Sequence, residues 1–402
     1  MLMAEMARVL VFNRTFLPGF KAGGPIRSIS NLIRRLEDRF DFAVVTRDRD
    51  MGDTVPYPGM KIGDWNRVEG CKVFYLAEQD VSGAVVRKVV RESGADLIYL
   101  NSFFDAIFTQ RVMWARRFGR LGGAAVCVAP RGEFSEGAMA QKRPKKKVFI
   151  TLAGLIGLYK GVHWHASSEL EAADIRRELP WVKREEISIA LNLAPPRDAG
   201  HVEASRKAPD TNELVIAFLS RIVPKKNLSF ALEALAQVTA PVRFLVFGTR
   251  EDDAYWKVCA DLIERLPPNV RVEYRGFVHP DDVPAGLAEA DLFFFPTLGE
   301  NYGHVIHEAL CAGLPVLLSD QTPWEKVVDK QVGWIHPLGD PAPYARSIDT
   351  YWAMSVDARA AMAQRAIAYG DEVARNDSAV QDHIRMFDRL TRAHAGAGNV
   401  GA

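Results

Sequence analysis

Cysteine is scarce in this chain: four in 402 residues, Cys71, Cys127, Cys259 and Cys311, all far apart. That spacing excludes a disulfide framework and a zinc knuckle. With Cys127 and Cys311 inside apolar runs, it suits a reduced, cytoplasmic protein. An excess of one charge is also lacking, because 51 Lys and Arg against 50 Asp and Glu leave a net charge of +1. No general attraction to nucleic acid follows. Long hydrophobic runs are missing: the longest helix-like one, Val148–Tyr159, has twelve residues, whereas a bilayer span needs about 20. The opening Met-Leu-Met-Ala-Glu-Met-Ala-Arg has no signal-peptide blocks, so no leader is expected. No short internal repeat is visible. No Gly-x-Gly-x-x-Gly follows a first strand, which argues against a dinucleotide redox cofactor.

What is present is a βα rhythm, twice over, which predicts parallel sheets. In the first half strands are expected at Arg8–Phe12, Phe42–Thr46, Val73–Leu76, Asp96–Asn101, Ala124–Pro130, His163–Ala166 and Ile187–Leu191. In the second they are expected at Leu214–Ser220, Arg243–Gly248, Arg271–Gly276, Leu292–Thr297, Pro315–Asp320 and Trp334–His336. The polar stretch between them, with Pro195, Pro196, Gly200 and Pro209, reads as a linker. The expected organisation is a first domain over 1–195, a linker over 196–212, a second domain over 213–375, and a polar terminal helix within 376–402.

The most informative segment is Glu300-Asn-Tyr-Gly-His-Val-Ile-His-Glu308. An apolar strand run precedes it, and a helical pattern follows (Val305, Ile306, Ala309, Leu310, then Gly313 and Pro315). A helix therefore starts at the carboxyl end of a strand, the edge where open α/β sheets bind ligands. Backbone N–H groups at that start favour anions. Glu308 falls about one turn into the helix, within reach of a polyol such as ribose. The plainer alternative has Glu300 capping the helix and Glu308 solvated.

The segment resembles the E-x7-E signature of retaining glycosyltransferases of family four, which have the GT-B architecture: α/β, two Rossmann-like domains facing each other across a cleft. Around Phe218-Leu-Ser-Arg-Ile-Val-Pro-Lys-Lys-Asn227 the chain is similar to the family pattern of an arginine at a strand end and a lysine five residues later. Arg221 and Lys226 match those positions, where the resemblance implies contact with the diphosphate leaving group. Asn227 replaces the usual glycine, and asparagine also accepts left-handed backbone. With Glu300 and Glu308, these two are the candidate catalytic residues.

On the donor side, the resemblance implies roles for Asn301, Tyr302, Gly303, His304 and Val305 in the acidic motif. It also implies roles for the Gly23-Gly24 loop and for Gly248, a point of close backbone approach. Phe277 and Val278 would lie along the nucleotide base, though Phe277 reads equally well as core packing. On the acceptor side, Asn101 and Arg131 stand where many relatives carry histidine. Arg131 lies in Pro-Arg-Gly, which with a lysine-rich helix and Thr322-Pro-Trp324 resembles a subgroup, and contact with a phosphate-bearing acceptor is the role implied. Asn101 reads equally well as a loop cap.

Two motifs are set aside. Asp48-Arg-Asp50 has the D-x-D form of a metal motif but follows a second strand, and His163-Trp-His165 lies in a strand pattern with no further ligands nearby. No metal and no cofactor is expected. The basic block Lys142–Lys147 before the apolar run to Tyr159 has three readings: an anionic membrane surface, a solvated helix start, or an anionic acceptor. The expected function is sugar transfer from a nucleotide diphosphate-sugar to a lipid-linked saccharide or oligosaccharide in bacterial surface polysaccharide assembly. The rival classes are a nucleotide-sugar epimerase and a non-catalytic nucleotide-sugar-binding subunit. The expected location is cytoplasmic, including the inner face of the plasma membrane.

Overall fold

The computed structural model describes residues 6–119, 121–140, 143–196 and 212–398, with side chains to residue 392. Most of the expected linker lies outside the described residues. Contacts divide the chain into two units, Met1–Pro196 with Asn376–Ala402, and Arg197–Arg375.

The first unit is built on one sheet of eight strands: β1 (Ala7–Phe12), β2 (Phe40–Arg47), β3 (Trp65–Val68), β4 (Cys71–Leu76), β5 (Leu97–Asn101), β6 (Ala125–Ala129), β7 (His163–Ala166) and β8 (Ile187–Ile189). Their order is β3-β4-β2-β1-β5-β6-β7-β8. All pairings are parallel except β3 with β4. Chain order reverses beside β1, so its carboxyl end and that of β5 form a topological switch point.

β3 is the strand that sequence reading misses. Its Trp-Asn-Arg-Val sequence has two polar residues, and its turn to β4 is Glu69-Gly70, both with positive φ (47° and 81°). Such a turn matches hairpin twist, but Asn-Gly, its usual signal, is absent. Trp65 packs edge-on against Phe74 at 5.0 Å.

The terminal helix Asp377–Gly398 belongs to the first unit. Its Phe387 packs against Phe40 (5.4 Å) and Tyr99 (5.7 Å), and its His383 against His165 (5.0 Å).

The second unit holds a six-stranded parallel sheet: β9 (Leu214–Leu219), β10 (Val242–Phe247), β11 (Val270–Gly276), β12 (Leu292–Phe295), β13 (Val316–Ser319) and β14 (Gly333–His336). The order β11-β10-β9-β12-β13-β14 places β9 and β12 side by side where chain order reverses. β12 is central and covered on both faces, so all four residues of its Leu-Phe-Phe-Phe run are buried. Such strands read as continuous apolar runs rather than as alternation.

Candidate functional site

In the second unit the expected residues gather at the switch point. Past β9 the chain turns through Pro224–Lys226 into the helix Leu228–Leu235. Asn227 sits between them at φ 61°, ψ 40°, the left-handed conformation that its glycine-like position requires. Past β12 the loop leads to the helix His304–Cys311, whose N-cap Gly303 is also left-handed at φ 78°. A Cβ at Gly303 would come within 2.8 Å of the Ile306 side chain, a second reason for glycine there.

The two loops are joined by backbone. The Leu298 N–H and Thr297 hydroxyl donate to the Lys225 carbonyl at 2.9 and 3.1 Å. The Asn227 side chain donates to the Pro296 carbonyl at 2.9 Å. Glu300 does not cap the helix: its carboxylate pairs with the Lys226 ammonium, and both side chains are 15% exposed. Arg221 is exposed and pairs with Glu251 at 3.0 Å. Each cation matched to the diphosphate position thus holds a carboxylate, so a diphosphate would have to share or displace those partners.

Glu308 lies in the first turn and a half of the same helix and is partly buried. The Asn301 amide nitrogen is buried with no hydrogen-bond acceptor among the described residues. A buried donor left unmade costs about 1–3 kcal/mol; a ligand oxygen would remove that cost. Tyr302 is partly buried and packs against His304 at 4.7 Å, and Val305 against the core. Trp324, from the Thr322-Pro-Trp324 motif, donates its indole N–H to the Tyr302 carbonyl at 2.5 Å and braces the loop from beneath.

Gly248 follows β10 at φ 139°, and a Cβ there would lie 1.7 Å from the Ser220 carbonyl oxygen. The close approach expected at Gly248 is therefore to its own chain, next to Arg221. Its N–H reaches the Gly276 carbonyl at 2.7 Å, which brings Phe277 and Val278 to the same edge. Phe277 is 47% exposed, which overturns core packing for it, while Val278 packs partly against the core. Nearby, the Arg250 guanidinium lies 3.8 Å from the Trp256 ring centre and 4.0 Å from that of Tyr274, a stack the sequence did not reveal.

In the first unit, Gly23 (φ 63°) precedes the helix Gly24–Leu36, with Pro25 at its start. The loop before it is held by Asp50, whose carboxylate accepts the Phe20 and Lys21 N–H groups at 2.7 and 3.1 Å. The D-x-D look-alike is thus a loop clamp. Asn101 does not cap its own loop but bridges two others. It donates to Asn13 Oδ1 at 2.9 Å and accepts from Arg131 Nε at 2.7 Å. Asn13 in turn donates to the Thr15 carbonyl at 2.6 Å and the Pro25 carbonyl at 3.5 Å. Glu133 of the same Pro-Arg-Gly-Glu run accepts from Ser102, Phe103 and Phe104. Its burial pushes its pKa up from the usual carboxylate value, against those three hydrogen bonds.

His163 and His165 are buried beside the terminal helix. Burial, then the Arg389 charge, lowers His163 to about 4. His165 is pushed well below the usual histidine value by burial and then by Arg131. They are neutral packing residues, as their strand context suggested.

The class that fold and site define is a pair of parallel-sheet α/β units, the second with cationic and acidic groups at its switch point. Residues 202–369, less than half of the chain, match the family model described as Glycosyl transferases group 1. Among curated proteins, it is 29% identical over 166 residues to a phosphatidyl-myo-inositol mannosyltransferase of Mycobacterium leprae (40% of this chain, 41% of that one). It is 31% identical over 117 residues to the O-antigen chain mannosyltransferase B of Escherichia coli (28% and 30%). The chain thus spans less than half the length of these relatives. Its fold matches that of Anabaena HepE, solved with UDP and glucose, at TM-score 0.67 and 18% identity, over 96% of this chain and 100% of that one. The fold is of the GT-B type.

Proposed function

We propose that the protein is a retaining glycosyltransferase. It takes a sugar from a nucleotide diphosphate-sugar and gives it to a hydroxyl of a lipid-linked saccharide during surface polysaccharide assembly, without a metal. The observation that carries the reading is the meeting of Arg221, Lys226, Glu300 and the helix bearing Glu308 at one switch point. The names of the relatives, a mannosyltransferase acting on a phosphatidylinositol and one of O-antigen chains, support the acceptor class.

In this reading Arg221 and Lys226 face the diphosphate and lower the barrier as charge builds on it. Glu308 accepts from ribose hydroxyls, and Asn301 finds its missing acceptor on the donor. The bond from anomeric carbon to diphosphate oxygen breaks, the acceptor oxygen bonds on the same face, and its proton passes to the departing diphosphate. No covalent nucleophile is needed.

Membrane contact rests on the helix Arg143–Leu155. Val148, Leu152, Leu155 and Ile156 follow a helical i, i+4, i+7, i+8 stripe and are exposed, Leu155 by 78%. The basic block contributes less than its sequence implies. Lys147 pairs with Glu178 at 2.6 Å and Lys146 donates to the Ala138 carbonyl, while Lys142 lies outside the described residues. Among the described residues no helix is long and apolar enough to cross a membrane.

The test is a thermal-shift screen of the whole chain against UDP-, GDP-, ADP- and dTDP-sugars, followed by NMR of the product made from whichever donor binds. A glycoside with the donor's anomeric configuration is expected. Binding of none of them, or an epimerised nucleotide sugar as product, refutes the reading.

A further inference from the structure

On the loop after β10, one arginine is held by aromatic rings rather than by an acid. The Arg250 guanidinium lies 3.8 Å from the Trp256 ring centre and 4.0 Å from that of Tyr274, and the two rings stand 4.8 Å apart at 45°. It fills the notch between them, while the residue as a whole stays exposed. The other arginines of these strands and loops are paired. Arg221 holds Glu251, Arg243 holds Glu213, Arg271 holds Glu213 and Glu273, and Arg275 holds Glu273 and Glu289. Among the described residues no carboxylate pairs with Arg250, and none of the five N–H donors of its guanidinium has a protein acceptor. An arginine held only through ring faces keeps its in-plane N–H edge for something else.

The loop that carries it is fixed on every side. The Gly248 N–H donates to the Gly276 carbonyl at 2.7 Å and the Ile222 N–H to the Thr249 carbonyl at 2.8 Å. The Tyr274 hydroxyl donates to the Gly248 carbonyl at 2.8 Å. Asp252 caps the helix Asp253–Ile263 by accepting the Tyr255 N–H at 2.9 Å. Trp256 lies on that helix and Tyr274 on β11, so regular elements set both rings. A planar fork held in advance loses little freedom on binding. On one side of the loop Glu251 reaches Arg221. On the other, Gly276 leads to the exposed ring of Phe277. The stretch 248–251 therefore runs between the diphosphate cations and an exposed aromatic, where the base of a nucleotide held by its diphosphate would lie.

A fixed fork reads two acceptors side by side. Guanine carries them on one edge, O6 and N7. Adenine sets an N–H donor beside N7, and uracil and thymine offer a single carbonyl there. We propose that Arg250 selects a guanine nucleotide as the donor, its guanidinium donating to O6 and N7 of the base. This rests on the nucleotide-sugar reading and names the base within it.

The test is calorimetric titration of the whole chain with GDP, UDP, ADP, IDP and the 7-deaza analogue of GDP. GDP is expected to bind about tenfold or more tighter than UDP or ADP. IDP keeps O6 and N7 and should match GDP. The 7-deaza analogue lacks the N7 acceptor and should lose most of the preference. Arg250→Gln should bring GDP down to the level of UDP and leave UDP and ADP unchanged. Arg250→Lys keeps the charge without the fork and should do the same. The proposal is overturned if UDP or ADP binds as tightly as GDP, or if the 7-deaza analogue equals GDP. It is also overturned if Arg250→Gln keeps the preference, or if it weakens GDP, UDP and ADP alike, which would assign the arginine to the phosphates. A preference for UDP would keep the donor reading and sink only the base. A chain that binds no diphosphate would sink both.

Discussion

Acidification should loosen the first unit along the seam between β7 and its terminal helix, and the magnitude follows from two histidines. His383 is held at about 4 by burial, against the helix hydrogen bond to the Ala379 carbonyl. His163 is held at about 4 by burial and by Arg389, which donates to its Nε2 at 2.7 Å. Both are neutral when folded, whereas in the unfolded chain they take up protons near pH 6.5. Between pH 6.5 and about 4 the unfolded chain therefore binds more protons. Stability is complete above that window, falls as pH drops through it, and levels off below. Each histidine contributes about 1.4 kcal/mol per pH unit, or roughly 3 kcal/mol across the window.

The assay is hydrogen exchange of peptides from Asp377–Arg392, comparing wild type with His383→Gln at each pH so that intrinsic exchange rates cancel. The lost helix hydrogen bond offsets the variant by an amount that does not vary with pH. The titrating part does vary: from pH 6.5 to 4.5 the wild-type advantage in protection should shrink about 40-fold. A ratio that stays constant across that range would show that His383 does not titrate with the opening, and the reasoning would fail.

Lys226→Ala should cut turnover by about 100-fold or more, as expected for losing a placed charge at the leaving group; full activity would remove the diphosphate assignment. Glu308→Gln keeps shape but weakens a charge-assisted acceptor, and calorimetry should show a loss of about 1.5–3 kcal/mol in nucleotide binding. Unchanged nucleoside diphosphate affinity would end the ribose role. Flotation should find the chain on anionic vesicles, and Leu152→Glu with Leu155→Glu should release it. Raising salt to about 1 M, where screening shortens to about 3 Å, should weaken binding only in part, because the apolar stripe outweighs the few free cations. A wild-type chain that never floats would refute the membrane surface.

Much of the architecture was legible in the sequence because parallel strands buried on both faces must be short apolar runs. The thirteen expected strands all appear, with ends shifted by a residue or two. β3 escaped because an edge hairpin needs little apolar sequence. Local chemistry was legible too: Asn227 announced a left-handed turn, and the order of Arg221, Lys226, Glu300 and Glu308 along the chain marked one sheet edge. What the sequence could not state is which charges meet. The Lys226–Glu300 pair joins residues 74 apart, and the Arg131–Asn192 contact joins residues 61 apart. Asn192 reads only as a lone polar residue among leucines, and Asp50 only as half of a false metal motif. Period and propensity depend on neighbours along the chain, so sequence alone determined the strands, the turns and the family pattern. Ion pairs, buried donors and the ring-held guanidinium of Arg250 depend on which strand lies beside which, and the tertiary structure alone decided those.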